Sequence, residues 1–125
     1  MEGDKRFVIQ KHSRAGDIHW DLMLESGKML ETYRLELPPG KLFQQPNAAR
    51  KIFDHSLKFL TYEGSVNKGK GKVEIADSGT YQLLSEAENY REMQISGKIL
   101  KGKFVLTHIK EEQWEFNMEP TPLSS

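Results

Sequence analysis

The chain has 125 residues, 37% hydrophobic and 29% charged, which suits one domain around one core and is too apolar for a disordered chain. Its 18 Lys and Arg balance 18 Asp and Glu, so no overall basic field draws nucleic acid, and any such contact must come from a local patch. Cysteine is absent, which removes disulfides, thiolate nucleophiles and cysteine-based zinc sites. No apolar run reaches the ~18 residues of a membrane span, and MEGDKRFVIQKH carries no apolar signal core, so a cytoplasmic protein is expected.

Two-residue alternation dominates the chain and predicts strands. RFVIQKH (6–12) opens the fold and DIHWDLMLE (17–25) follows; a Ser26-Gly27 turn then leads into KMLETYRLEL (28–37) as a hairpin. Pro38-Pro39-Gly40 interrupts the pattern. Residues 41–56 read as a loop with a short helical turn around Ala48 to Ile52, and LKFLTYEGSV (57–66) resumes extended structure. NKGKGK (67–72) reads as a turn before VEIADSGTYQLL (73–84), where Asp77-Ser78-Gly79 marks a bend whose aspartate bonds nearby amides. SEAENYRE (85–92) is a polar connection, and MQISGKIL (93–100) and KFVLTHIK (103–110) flank a Lys101-Gly102 hairpin signal. QWEFNME (113–119) is the last strand expected, within a single domain over 1–119, and PTPLSS (120–125) is a frayed tail. Short strands at regular spacing, with no helix longer than two turns, predict an all-β barrel or sandwich.

The chemistry concentrates in QKHSRAGDIHWDLMLE (10–25). On a strand, Ile18, Trp20, Leu22 and Leu24 share one face and His19, Asp21, Met23 and Glu25 the other. His19 and Asp21 converge, and His12 ends the neighbouring strand, where it is placed to close the cluster. Two imidazoles and a carboxylate suit Mn²⁺, Fe²⁺ or Zn²⁺ with open positions for water or substrate. Spacing alone leaves a second reading open, two surface histidines beside an exposed carboxylate. His55 lies in the region read as a loop, where site residues collect; His108 reads as structural. Lys68, Lys70 and Lys72, alternating with glycine, read equally as phosphate contacts or as a solvated turn. Trp20, Tyr33, Tyr62, Trp114 and Phe116 are candidates for stacking on bases, though Trp20 sits on the apolar face and reads as core.

FVIQKH followed by H-x-D-x-x-L-E resembles the opening of the 3′-phosphoesterase domain of bacterial ATP-dependent DNA ligase D, a domain that also exists alone. DHSLKFLTYEGSV, KGKGKVEIADSGTY and GKILKGKFVLTHI resemble three further segments of that family in the same order, so the likeness runs over residues 6 to 109. The resemblance implies a compact β-barrel with a metal site in a surface groove. It also implies Mn²⁺-dependent trimming of DNA or RNA-containing 3′ ends, removing a 3′-phosphate or a terminal ribonucleoside. His12, His19 and Asp21 match the family's metal ligands, and His55 matches the histidine that engages the scissile phosphate. Arg50 stands near the family's upstream arginine at a different spacing, and Lys41 is nearest to a lysine of a P-K-G-P segment that this chain lacks.

Two positions depart. Active members carry arginine where this chain has Met23 and tyrosine where it has Phe59, and both changes remove donors that would face a phosphate. Arg14, between the two histidines, is the preferred substitute cation. The sequence thus supports a metal-dependent phosphoesterase, a metal-binding module that recognises 3′ ends without efficient cleavage, or an enzyme for small phosphoesters. Zn²⁺ or another divalent ion is the alternative to Mn²⁺. A monomer is expected, with a separate ligase or polymerase as partner and no membrane.

Overall fold

The computed structural model describes residues 4–44 and 46–119, so the PTPLSS tail, expected to fray, lies outside the described residues. Nine strands form: β1 Lys5–Arg14, β2 Asp17–Ser26, β3 Met29–Leu35, β4 Ala48–Ser56, β5 Gly64–Val66, β6 Gly71–Ala87, β7 Tyr90–Gly97, β8 Lys101–Lys110 and β9 Gln113–Met118. They run in the order β1-β2-β3-β4-β9-β8-β7-β6, and β6 returns to β1, which closes an all-antiparallel eight-stranded barrel. Closure leaves no free edge among those eight; β5 pairs with β6 alone. The only helical segments among the described residues are the 3₁₀ turns Pro39–Lys41 and Leu57–Leu60, and no helix is long and apolar enough to cross a membrane.

Alternate residues of each strand fill the barrel: Phe7, Ile9, Leu22, Leu24, Leu35, Phe104 and Phe116 are all buried, and the rings of Phe104 and Phe116 stack at 4.8 Å. Each such side chain contributes about 1.5–3 kcal/mol on burial. β1 is buried on both faces from Phe7 to Gln10. The reason is a second, smaller core outside the barrel, where Val8, Met23 and Leu30 lie under Leu57, Phe59 and Leu60 of the second 3₁₀ turn. Gln10 pins that turn, its amide donating to the carbonyls of Phe59 (2.9 Å) and Tyr62 (2.8 Å).

Several expected boundaries move. Residues 48–56 are a strand rather than a loop with a helical turn, because pairing with β3 and β9 outweighs the helix preference of Ala48, Ala49, Arg50 and Lys51. Residues 57–60, expected extended, form the 3₁₀ turn, with Ser56 accepting from the Lys58 amide. The polar connection at 85–92 is mostly strand, since β6 and β7 continue to an Ala87↔Tyr90 pair. Lys101-Gly102 lies inside β8; the turn is at 98–100, held by Asp77. That carboxylate is 3% exposed and accepts from the amides of Ser78, Lys98, Ile99 and Leu100 at 2.7–3.1 Å. A Cβ at Gly79 would collide with the Ser96 carbonyl and one at Gly97 with the Asp77 carboxylate, so both positions require glycine.

Candidate metal centre

The β1–β2 register pairs His12 with His19, Gln10 with Asp21 and Val8 with Met23, all on the outer face. His12 Nδ1 and His19 Nε2 lie 3.0 Å apart, and His19 Nε2 is 3.5 Å from Asp21 Oδ2. One donor atom from each of the three residues falls within 4.8 Å of the others. Donors bound at about 2.0–2.2 Å around one ion at 90–110° stand roughly 2.8–3.6 Å apart, the range in which the His12–His19 and His19–Asp21 separations fall. Asp21 Oδ1 and His12 Nε2 are buried with no hydrogen-bond partner, an arrangement that costs stability unless something compensates it. Burial pushes the His12 pKa down, with His19 adding to the shift, and keeps the ring neutral as a ligand must be. His19 Nδ1 faces Asp17 Oδ2 at 3.9 Å, a carboxylate placed to orient the ring from behind. Gly71 makes room for His12, since a Cβ there would come within 2.9 Å of Nε2.

Across the same groove stands His55. A bulge in β4 sets Leu30 opposite His55 and Thr32 opposite Ile52, so three steps on β4 match two on β3. Thr32 Oγ1 donates to the Leu30 carbonyl (3.1 Å) and therefore accepts from His55 Nδ1–H (2.8 Å). The other nitrogen, Nε2, is left with its lone pair free. Burial lowers the His55 pKa from its ordinary value, so the neutral tautomer prevails at pH 7.

A cation that spacing had not suggested completes the site. Arg34 on β3 pairs with Asp21 in the hairpin register, and its Nε lies 3.7 Å from Asp21 Oδ1 while 38% of the side chain stays exposed. The hairpin brings them together because its turn is Gly27-Lys28; the Ser26-Gly27 turn expected from the sequence would set Thr32 opposite Asp21 instead. Arg34 divides two grooves. One, about 410 Å³, holds His12, Asp21, His55, Arg14 and Arg34. The other, about 650 Å³, holds His19, Arg50 and Arg34 but also Asp17, Glu36, Glu111, Glu112 and Glu115. Those carboxylates repel a phosphate, so the smaller groove is the one suited to it.

The remaining candidates sort clearly. Arg14 lines the smaller groove and Arg50 only the larger, acidic one. Met23, expected at the substrate, is 1% exposed and packs under Phe59, whose ring meets that of His55 edge-on at 5.6 Å. The two departures are thus neighbours: methionine and phenylalanine together make an apolar floor where two polar groups were expected. Lys41, Lys68 and Lys70 are exposed and line neither groove, although Asn67 does; Lys72 pairs with Glu74 at 3.3 Å. Tyr33 and Phe116 are fully buried, which removes them as base-stacking residues; Trp20 and Trp114 are half-buried against the core, and Trp114 lines the larger, acidic groove. The Tyr62 hydroxyl donates to the Ser65 carbonyl, and His108 Nε2 lies 2.7 Å from the Glu111 carbonyl in the β8–β9 turn.

Residues 10–108 match the model of the DNA ligase D 3′-phosphoesterase domain, which covers most of the chain and all the residues of this centre. The chain belongs to that phosphoesterase family. Among its relatives, the multifunctional non-homologous end joining protein LigD of Mycolicibacterium smegmatis is 27% identical over 123 residues, 87% of this chain and 16% of that protein. The multifunctional non-homologous end joining DNA repair protein LigD of Mycobacterium tuberculosis is 29% identical over 121 residues, 86% of this chain and 15% of that protein. The LigD of Pseudomonas aeruginosa is 26% identical over 121 residues, 87% of this chain and 14% of that protein. The phosphoesterase-family chain therefore spans about a sixth of the length of these curated relatives, in each case at modest identity.

Proposed function

We propose that this chain is a phosphoesterase of DNA-repair type that trims nucleic-acid 3′ ends, removing a 3′-phosphate or a terminal ribonucleotide. His12, His19 and Asp21 would hold a divalent cation, Mn²⁺ first and Zn²⁺ second, which when bound supplies Lewis acidity and a water of lowered pKa. The observation that carries the reading is the approach of three donor atoms to within 4.8 Å, two of them, from His12 and Asp21, in residues that line one groove with His55 and Arg34.

For a 3′-phosphate the reaction joins a water oxygen to phosphorus and breaks the P–O3′ bond, releasing inorganic phosphate and a 3′-hydroxyl. Neutral His55 is poised to take the water's proton at Nε2, while the departing 3′ oxygen, on the opposite side of the phosphorus, takes its proton from solvent. Arg34 and Arg14 present guanidinium groups to the non-reacting phosphate oxygens, where charge builds in the transition state. Arg34 takes the role that methionine at position 23 cannot. A separate ligase or polymerase would use the cleaned end, as the end-joining names of the relatives suggest.

The apolar floor of Met23 and Phe59 favours a second reading, a metal-bound module that recognises 3′ ends without efficient cleavage. Turnover separates the two. Purified protein with Mn²⁺ is expected to release phosphate or nucleoside from a 3′-phosphate or 3′-ribonucleotide primer, and His19→Ala to lose both metal binding and release. Arg34→Ala is expected to keep the metal and lose on the order of 10²–10³ in turnover. Metal binding with no release by the wild type would leave the recognition module standing.

A further inference from the structure

Phe53 is 75% exposed, the most exposed of the large apolar side chains among the described residues. Single exposed hydrophobic residues are ordinary on protein surfaces, but this one lies in the metal groove and is held flat. Its ring stacks on the imidazole of His55 with centroids 4.7 Å apart and planes inclined by 19°. Phe53 reaches that place because the β4 bulge inserts an extra residue between the Thr32↔Ile52 and Leu30↔His55 pairs.

The support beneath it is firm. His55 is fixed by Thr32 at 2.8 Å and by the edge of Phe59 at 5.6 Å, and the turn carrying Phe59 is pinned by Gln10. One face of the Phe53 ring is therefore covered by an ordered imidazole, and the ring remains largely open to solvent. A rigid aromatic face at the rim of a groove that carries Arg14, Arg34 and a metal-type donor set matches a nucleotide, with phosphate at the cations and base on the ring. Of the other candidate rings, Tyr33 and Phe116 are buried, Trp114 lines the larger, acidic groove, and Tyr62 lines neither groove.

We propose that Phe53 is a stacking platform for the terminal base of a nucleic-acid 3′ end whose phosphate lies at the His12–His19–Asp21 groove. The inference rests on the reading of that groove as a 3′-end site and narrows its substrate to base-bearing ends rather than small phosphoesters. Base–aromatic stacking of this kind changes affinity by roughly 5- to 150-fold when the ring is removed.

The test is fluorescence anisotropy of a 5′-labelled single strand with Mn²⁺, comparing a 3′-terminal adenosine nucleotide with an abasic 3′-terminal residue. The wild type is expected to prefer the base-bearing end within that range, Phe53→Ala to bind both ends alike, and Phe53→Trp to restore the preference. Because only the difference between the two ends is read, a general disturbance of His55 in Phe53→Ala cancels. Equal binding of both ends by the wild type, or a preference kept by Phe53→Ala, overturns the platform. Failure of the catalytic reading looks different: the base preference persists and still depends on Phe53, while no variant releases phosphate or nucleoside. A wild type that binds neither strand overturns both.

Discussion

Met23 is 1% exposed and lies under Phe59, with Val8 and Leu30 beside it. A guanidinium introduced there alone would have to leave an apolar cluster to reach Asp21, two residues along the same face. Met23→Arg is therefore expected to destabilise the protein, on the order of 3 kcal/mol in urea unfolding, without raising 3′-end turnover. A gain in turnover at unchanged stability would show instead that the side chain reaches the groove. The sequence displayed Met23 as a polar-face residue because strand alternation cannot tell solvent from a second core. Arg34 escaped notice for a related reason: it is 13 positions from Asp21 in sequence and meets it only through the hairpin register. His55 carries the pH dependence. Burial lowers its pKa below the ordinary 6.5, and the neutral ring is the form that accepts a proton. The expected kcat/KM is level at neutral pH and falls as pH drops through that lowered value. An acidic limb lying at or above the ordinary 6.5 would remove His55 as the base.

Among the elements, β1, β2 and β3 were legible because β1 opens on the apolar run Phe7-Val8-Ile9, β2 alternates, and glycine marks the turn between β2 and β3. β4 was not: Ala48 to Lys51 are good helix formers, its exposed residues blur the period, and its bulge resets the phase just before His55. The same strand carries His55 and Phe53, so the element hardest to read holds two of the residues on which the candidate site depends. The turn between β7 and β8 was displaced in the reading because Lys101-Gly102 looks like a hairpin tip, whereas the turn is organised by Asp77 from β6. Four amides converge on that one carboxylate, three of them from residues 98–100. Asp77→Ala leaves these amides without their acceptor, two beside it half-buried and that of Leu100 buried. The expected cost is about 3–5 kcal/mol in chemical denaturation, with loss of amide protection in residues 98–100. A cost under about 1 kcal/mol would mean that water replaces the carboxylate. Asp77 lies outside the metal groove, so any surviving folded fraction should retain metal binding.

At the scale of the whole molecule, barrel closure through β1 and β6 gives the metal-type donors their rigidity. His12 sits on β1 with β2 on one side and β6 on the other, and Gly71 of β6 defines how far its ring can move. Donors held by three paired strands of a closed barrel move little, so binding should act on stability by simple linkage rather than by refolding the chain. Mn²⁺ at a hundredfold excess over its Kd adds about 2.7 kcal/mol, which for a chain of this size raises Tm by roughly 10 °C. His19→Ala removes one donor and should abolish the rise, whereas Phe53→Ala, on the groove rim, should keep it. The direction also discriminates the bare alternative: two histidines that only share a proton at 3.0 Å give no Mn²⁺-dependent shift. If differential scanning shows the same Tm with and without Mn²⁺ or Zn²⁺, the centre is a hydrogen-bonded pair and the metal-dependent reading falls. A rise seen equally in wild type and His19→Ala would place the ion elsewhere, with the acidic groove of Glu111, Glu112 and Glu115 the first place to look.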